Sequence, residues 1–278
     1  VVGGYGDRIV GLVAVRVLAK ALGREFGVLW TRDDLKPYFE YSGVDAGVDR
    51  GMRTIGMIDR PDILRDHLRT APMPLPGPPG GTSISVNAEI AQYLFQNPRF
   101  GGGGAGKEQR EKYLAAMRWG YRTLYSEVLK PTAQVKARMQ EVVGDECGLV
   151  GIQVRAGDCF MATGFAGDAA TRYMDGEEGV RVALVGVRDR MVSLGLIGPA
   201  AEVDRRVFVT GDHPRVVALA REVFGLGRVV LGDDEPAQHL DRRQGEGLDQ
   251  TKLYCDALIL AQRCSVLFIS ENSNYGRV

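Results

Sequence analysis

The side chains best suited to chemistry in this 278-residue chain fall in four short runs. The first, Gly151-Ile-Gln-Val-Arg155-Ala-Gly157-Asp158, ends a predicted strand on an arginine followed by a glycine and a carboxylate. A guanidinium keeps its proton at any ordinary pH, so at a strand end it needs a partner. Asp158 can be that partner in a structural ion pair, or the Arg155 fork can grip a diphosphate through two parallel hydrogen bonds. The second run, Val207-Phe-Val-Thr210-Gly211-Asp212, exposes a carboxylate after a small-residue turn. Asp212 there either caps the helix that starts at Pro214 or meets a ligand. The third, from Ser270 to Arg277, crowds hydroxyl and amide groups behind a hydrophobic strand. It fits a surface turn, or a cradle for phosphate oxygens. The fourth lies at the start, where Gly3, Gly4 and Gly6 crowd a turn ahead of an apolar-periodic run. A glycine turn feeding a helix offers backbone N–H groups to a phosphate.

A dinucleotide fingerprint needs a third glycine three positions after the second, and an acid after the next strand. Gly4 and Gly6 supply two glycines, Ile9 stands at the third position, and Asp33 and Asp34 follow the second predicted strand. An NAD(P)-dependent oxidoreductase using the Gly4–Gly6 turn is therefore an alternative reading, and a purely structural turn is another.

The elements that position these runs follow from apolar periodicity. Asp7 can cap a helix with apolar positions at Ile9, Leu12, Val13, Val17 and Ala21, while Arg16, Lys20 and Arg24 form its solvated stripe. Gly23 stops it, and 26–30 reads as a buried strand. Further on, a short helix is expected over 62–70, a long one over 107–129, and another from Pro131 to about Gly144. The proline- and glycine-rich run 71–81 cannot be regular structure. Beyond it strands and helices alternate: strands over 147–154, 206–210, 228–231 and 265–270, helices over 179–194, 214–224 and 248–262. That alternation implies a parallel doubly wound sheet, with ligands at the C-terminal ends of its strands. The boundary is placed after Gly144, giving domains 1–144 and 145–278.

Composition narrows the function. Lys plus Arg and Asp plus Glu are 35 each, so the chain lacks the basic excess of a general nucleic-acid binder. The four cysteines form no C-x-x-C pair, and the three histidines stand apart, which argues against a structural zinc site and for reduced thiols. No stretch reaches the roughly 18 uncharged apolar residues of a membrane helix. The chain does not begin with methionine, so a leader or anchor is compatible with it, and the compartment is expected to be cytoplasmic or, with such an anchor, the secretory-pathway lumen.

Taken in order, the four runs resemble the fucosyltransferase superfamily, which includes rhizobial nodulation α-1,6-fucosyltransferases, animal core fucosyltransferases and protein O-fucosyltransferases. Gly4-Tyr-Gly6-Asp7-Arg8-Ile9 is similar to that group's opening loop, and Gln153-Val-Arg155-Ala-Gly157-Asp158 to its His-x-Arg-x-Gly/Thr-Asp motif. Thr210-Gly211-Asp212 resembles its Thr-Asp-Asp strand end, and Asn272-Ser273-Asn274-Tyr275-Gly276-Arg277 its Ser-Ser-Asn-aromatic-Gly-Arg motif. Leu129-Lys-Pro131 also falls where the family has such a run.

The resemblance implies an α/β, GT-B-like fold of two doubly wound Rossmann-like domains facing a cleft. The N-terminal domain would take the acceptor side and the C-terminal domain the sugar nucleotide. It implies an inverting, metal-independent enzyme without a cofactor, moving fucose from GDP-fucose to a hydroxyl of a glycan or protein. Arg155 would then neutralise the leaving diphosphate, and Asp212 would order the guanine pocket. Gln153, Gly157, Asn272, Ser273, Asn274 and Arg277 would line the donor site, with Gly4, Gly6 and Arg8 closing on it from the other domain. The sequence departs from the pattern at Gln153, where the family has His, and at Gly211, where it has Asp. The lysine and glutamate that follow the motif in core fucosyltransferases are missing, and no carboxylate follows Asp158 until Asp168. Asp158 and Asp7 are the candidates for general base, and a catalytically silent sugar-nucleotide-binding protein is the remaining alternative. The family continues with a helix after its last motif, so further chain is expected beyond Val278.

Overall fold

The structure, a computed structural model, describes residues 5–28, 37–41, 53–56, 61–70, 82–85, 90–101, 106–156, 176–211, 213–231 and 251–270. Two compact units divide the chain between Thr132 and Ala133. The division falls earlier than the 144/145 boundary expected, because the helix after Thr132 packs with the second unit.

In the first unit, helix α1 (Tyr5–Ala21) buries Ile9, Val13 and Val17 at four-residue spacing. It begins a turn before the predicted start, so Gly6 and Asp7 are helical and Asp7 is not the cap. A start at Arg8, directly after an Asp7 cap, would have left Ile9, the first core side chain, in a terminal turn whose N–H groups lack partners. Gly23, at φ 63°, ends the helix as predicted. The Gly23 N–H reaches the Lys20 carbonyl at 3.1 Å and the Arg24 N–H the Ala19 carbonyl at 2.8 Å, the double bond of a left-handed C-cap. The charged stripe is only partly solvated. Arg16 is 7% exposed and pairs with Glu127, and its guanidinium lies 5.0 Å from the Trp119 ring centre. The Lys20 ammonium lies 3.6 Å from the same ring.

Helix α1 packs on a long helix, and glycine permits the approach. The elements between them in sequence are β1 (Phe39–Tyr41), β2 (Arg53–Gly56), α2 (Pro61–Thr70), β3 (Thr82–Ser85), α3 (Ala91–Phe95) and α4 (Pro98–Gly101). The long helix is α5 (Lys107–Thr123). A Cβ at Gly120 would sit 2.8 Å from Val13 Cγ1. The predicted 107–129 helix does not stay α: it widens into a π-turn over Leu124–Val128 and becomes strand β4 (Leu129–Pro131). Pro131 lacks a donor and suits a short edge strand, here paired antiparallel with β1. Strands β2 and β3 pair in parallel. Of the expected 26–30 strand, Gly27 makes an isolated bridge and Val28 is buried, while 29–30 and the run 71–81 lie outside the described residues.

The second unit follows the predicted alternation closely. After α6 (Ala133–Val143) come β5 (Leu149–Val154), α7 (Gly176–Ser193), β6 (Val207–Gly211), α8 (Pro214–Phe224), β7 (Val229–Leu231), α9 (Thr251–Gln262) and β8 (Cys264–Ile269). The four strands form one parallel sheet in the order β7-β6-β5-β8. Val150, Ile152, Val154, Val207 and Val209 face Val180 and Leu184 of α7 and Val216 and Leu219 of α8 in one core. Alternation along each strand turns Gly151, Gln153 and Thr210 to the opposite face, where α9 lies. A Cβ at Gly151 would come within 2.7 Å of Leu260 Cδ2 on α9, so that helix rests directly on β5.

Candidate active site

The order β7-β6-β5-β8 has a reversal in it. From β5 the chain moves outward through β6 and β7, then returns to place β8 on the other side of β5. Ligands of open α/β sheets bind outside the C-terminal strand ends at such a reversal. The residues standing there are Arg155, just past β5, and Ser270, just past β8.

Ser270 ties the two strand ends together. Its N–H donates to the Gln153 carbonyl at 3.0 Å, and its hydroxyl donates to the same carbonyl at 3.3 Å. The hydroxyl oxygen in turn accepts the Arg155 N–H at 2.8 Å. The backbone on either side of Val154, leading into the half-buried Arg155, is therefore tied to Ser270 by three hydrogen bonds. In the sequence Ser270 is only the head of a polar run. Nothing local marks it, because its partner lies 115 residues away.

Gln153 is 4% exposed, and among the described residues its Oε1 has no hydrogen-bond partner. A buried acceptor without a donor costs about 1–3 kcal/mol. A ligand N–H or O–H at this strand end would remove that cost. The histidine that the resemblance puts at this position would offer a similar hydrogen-bonding edge.

At the end of β6, Thr210 stands opposite Gln153 in register. Its hydroxyl donates to Asp256 Oδ2 at 2.7 Å, and the Lys252 ammonium donates to the same oxygen at 2.6 Å. Asp256 is 1% exposed. The i, i+4 spacing of Lys252 and Asp256 reads in sequence as an ordinary surface pair, which is why this buried link was not foreseen. At Gly211 a Cβ would meet Val216 Cγ1 at 2.9 Å and the Val154 carbonyl oxygen at 3.2 Å. The packing of α8 on β6, with the β5 carbonyl of Val154 alongside, thus accounts for glycine where the resemblance has aspartate. The cap of α8 is His213, whose Nδ1 accepts the Arg215 N–H at 3.1 Å, with Pro214 following.

Of the other residues singled out from sequence, Gly6, Asp7 and Arg8 lie in the first turn of α1. Gly4, Gly157, Asp158, Asp212, Asn272, Ser273, Asn274 and Arg277 lie outside the described residues. Among the described residues no group of three His, Cys, Asp or Glu side chains could hold a metal ion, and no helix is long and apolar enough to cross a membrane. Burial pushes the thiols of Cys255 and Cys264 up to about 12, which leaves them protonated and poor nucleophiles. Cys147 is exposed and free.

The reversed parallel sheet of the second unit and the α/β unit that precedes it in sequence give an α/β fold of the GT-B type. Two solved structures share it: an arginine-to-lysine mutant of Arabidopsis thaliana FUT1 in complex with GDP, and the NodZ α-1,6-fucosyltransferase co-crystallised with GDP. The first has a TM-score of 0.61 at 13% identity over 99% of this chain and 65% of that one. The second has a TM-score of 0.56 at 13% identity over 99% of this chain and 87% of that one. This chain therefore spans 65% of the FUT1 length. No family model matches the sequence, and no curated protein does.

Proposed function

We propose that this protein is a fucosyltransferase-like glycosyltransferase that transfers fucose from GDP-fucose to a hydroxyl of a glycan or protein. One observation carries the reading: Arg155 stands on a rigidly tied backbone at the reversal point of the parallel sheet. The two GDP-bound fucosyltransferases of the same fold supply the nucleotide.

In the reaction the acceptor oxygen forms a bond to the anomeric carbon as the bond from that carbon to the diphosphate oxygen breaks. Attack from the opposite face inverts the configuration. Negative charge grows on the departing GDP, and the Arg155 guanidinium offers it charge-assisted N–H donors. Charge-matched donors of this kind lower a barrier by several kcal/mol, and each 1.36 kcal/mol or so is tenfold in rate. Gln153, Gly157, Asn272, Ser273, Asn274 and Arg277 complete the donor site, with Asp212 on the guanine side. The acceptor proton goes to Asp158 or Asp7. Because the sugar leaves early, that proton is lost late and a weak base suffices. No metal is required in this scheme, since the guanidinium supplies the countercharge. Acceptor recognition falls to the first unit.

The test is a thermal-shift panel of GDP, UDP, NAD and NADP. GDP at about a hundred times its Kd should stabilise the wild-type chain by about 2.7 kcal/mol. Arg155→Ala should weaken GDP binding by about tenfold or more, because a charge-assisted bidentate contact is lost. Stabilisation by NAD instead, or GDP binding indifferent to Arg155→Ala, overturns the assignment. Transfer or hydrolysis of labelled GDP-fucose then separates an enzyme from a silent binder.

A further inference from the structure

The far side of the sheet from the α7–α8 core carries a buried polar chain that the reaction above does not use. Asp256 sits in the middle of α9 with one carboxylate oxygen taken by two donors, the Thr210 hydroxyl at 2.7 Å and the Lys252 ammonium at 2.6 Å. The start of α9 is itself anchored, since Gln134 Nε2 of α6 donates to Thr251 Oγ1 at 3.2 Å. A buried ion pair of this kind is a poor source of stability, because desolvation offsets most of the attraction. Its location is more informative. Thr210 is the penultimate residue of β6, lies beside Gln153 in the sheet, and precedes Asp212 by two positions. Gly211 between them is pressed against Val216, so the strand end has little room to adjust.

We infer that Asp256, paired with Lys252, is a positioning residue of the nucleotide site, holding Thr210 so that the end of β6 keeps Gln153 of β5 in register. This rests on the reading of the site as a GDP-sugar site. Asp256 touches no ligand; it acts through Thr210. The chain of contacts runs from α6 to α9 to β6 to the strand that bears Gln153 and Arg155. Two helices on one face are thereby coupled to the edge where the nucleotide binds.

The experiment compares GDP affinity by calorimetry in wild type, Thr210→Val, Thr210→Ser, Asp256→Asn and Arg155→Ala, each at a temperature where its unfolding curve shows the native baseline. Thr210→Val is nearly isosteric and removes only the hydroxyl. Thr210→Val and Asp256→Asn should each weaken GDP binding severalfold, with about tenfold as the ceiling set by the one internal hydrogen bond to a charged group that is lost. Thr210→Ser should return to within about twofold of wild type, since it restores the donor. A purely structural role predicts lowered melting temperatures with unchanged affinity of the folded protein. That result, with Arg155→Ala still impaired, overturns the positioning role and leaves the nucleotide site standing. Failure of both Thr210→Val and Asp256→Asn to fold assigns the network to stability and overturns it as well. A wild-type chain that does not bind GDP sinks the site reading and this inference together.

Discussion

At the scale of single residues, the strand ends of the second unit are set by contacts that leave little tolerance. Gly211 is the clearest case. A Cβ there would lie 2.9 Å from Val216 Cγ1 and 3.1 Å from Val216 Cβ, and 3.2 Å from the Val154 carbonyl oxygen. Gly211→Asp, which would create the Thr-Asp-Asp pattern of the resembling family, should therefore destabilise the fold by about 1–3 kcal/mol from crowding. The new carboxylate would also face a carbonyl, with an acceptor where a donor is needed. Urea denaturation checks this, and Val216→Ala in the same chain should recover part of the loss. An unshifted midpoint in Gly211→Asp would show that α8 yields more readily than its packing implies. Gln153 is the converse case: it is tightly enclosed, yet among the described residues its acceptor oxygen has no donor, an arrangement that a purely structural core residue would leave uncompensated.

At the scale of elements, helices α7 and α8 are cross-linked on their exposed side. Glu177 at the start of α7 takes the Arg215 guanidinium through both oxygens, and Arg181 reaches Glu222 at 2.7 Å. The Arg215 donors hold the Glu177 carboxyl below the usual carboxylate range, with Arg181 adding to the effect. A carboxyl depressed on folding binds fewer protons in the native state than in the unfolded chain. Its contribution is therefore present above the unfolded pKa and lost as pH falls through the lower, native one. Both partners are solvated, so the effect is small. Glu177→Gln should leave the urea midpoint at neutral pH nearly unchanged or slightly lowered. It should also flatten the decline of that midpoint below about pH 4, where glutamate ordinarily titrates. A wild-type acid limb as shallow as the variant's would remove the pair from the account. On the other unit, the π-turn at Leu124–Val128 converts α5 into β4 and sets Glu127 on Arg16, a junction that a purely α-helical reading of 107–129 misses.

At the scale of the whole molecule, the two units divide the work in the proposed reaction, and that division is measurable. If the second unit holds the nucleotide, saturating GDP should slow amide exchange in β5, β6 and the start of α8. Helices α5 and α2 of the first unit should change far less. Exchange reports local opening free energies, and a ligand protects the segments that must open to release it. Hydrogen–deuterium exchange with mass spectrometry distinguishes the two patterns. Protection concentrated at the start of α1 would move the diphosphate to the opening glycines, as the oxidoreductase alternative requires.

Sequence alone determined the alternation of the second unit and the place of Arg155 at the end of β5. Both depend on interactions within a few residues: short β-branched runs, helical apolar spacing, and glycine or proline at the breaks. The strand order β7-β6-β5-β8, the meeting of Ser270 with Arg155, and the burial of Asp256 beneath Thr210 were decided only by the tertiary structure. Lys252 and Asp256 have the spacing of a solvated helix pair, and only the packing of α9 on the sheet takes them out of water. Contacts between residues 46 or 115 apart in the chain are set by which layers pack together, and no local propensity encodes that choice.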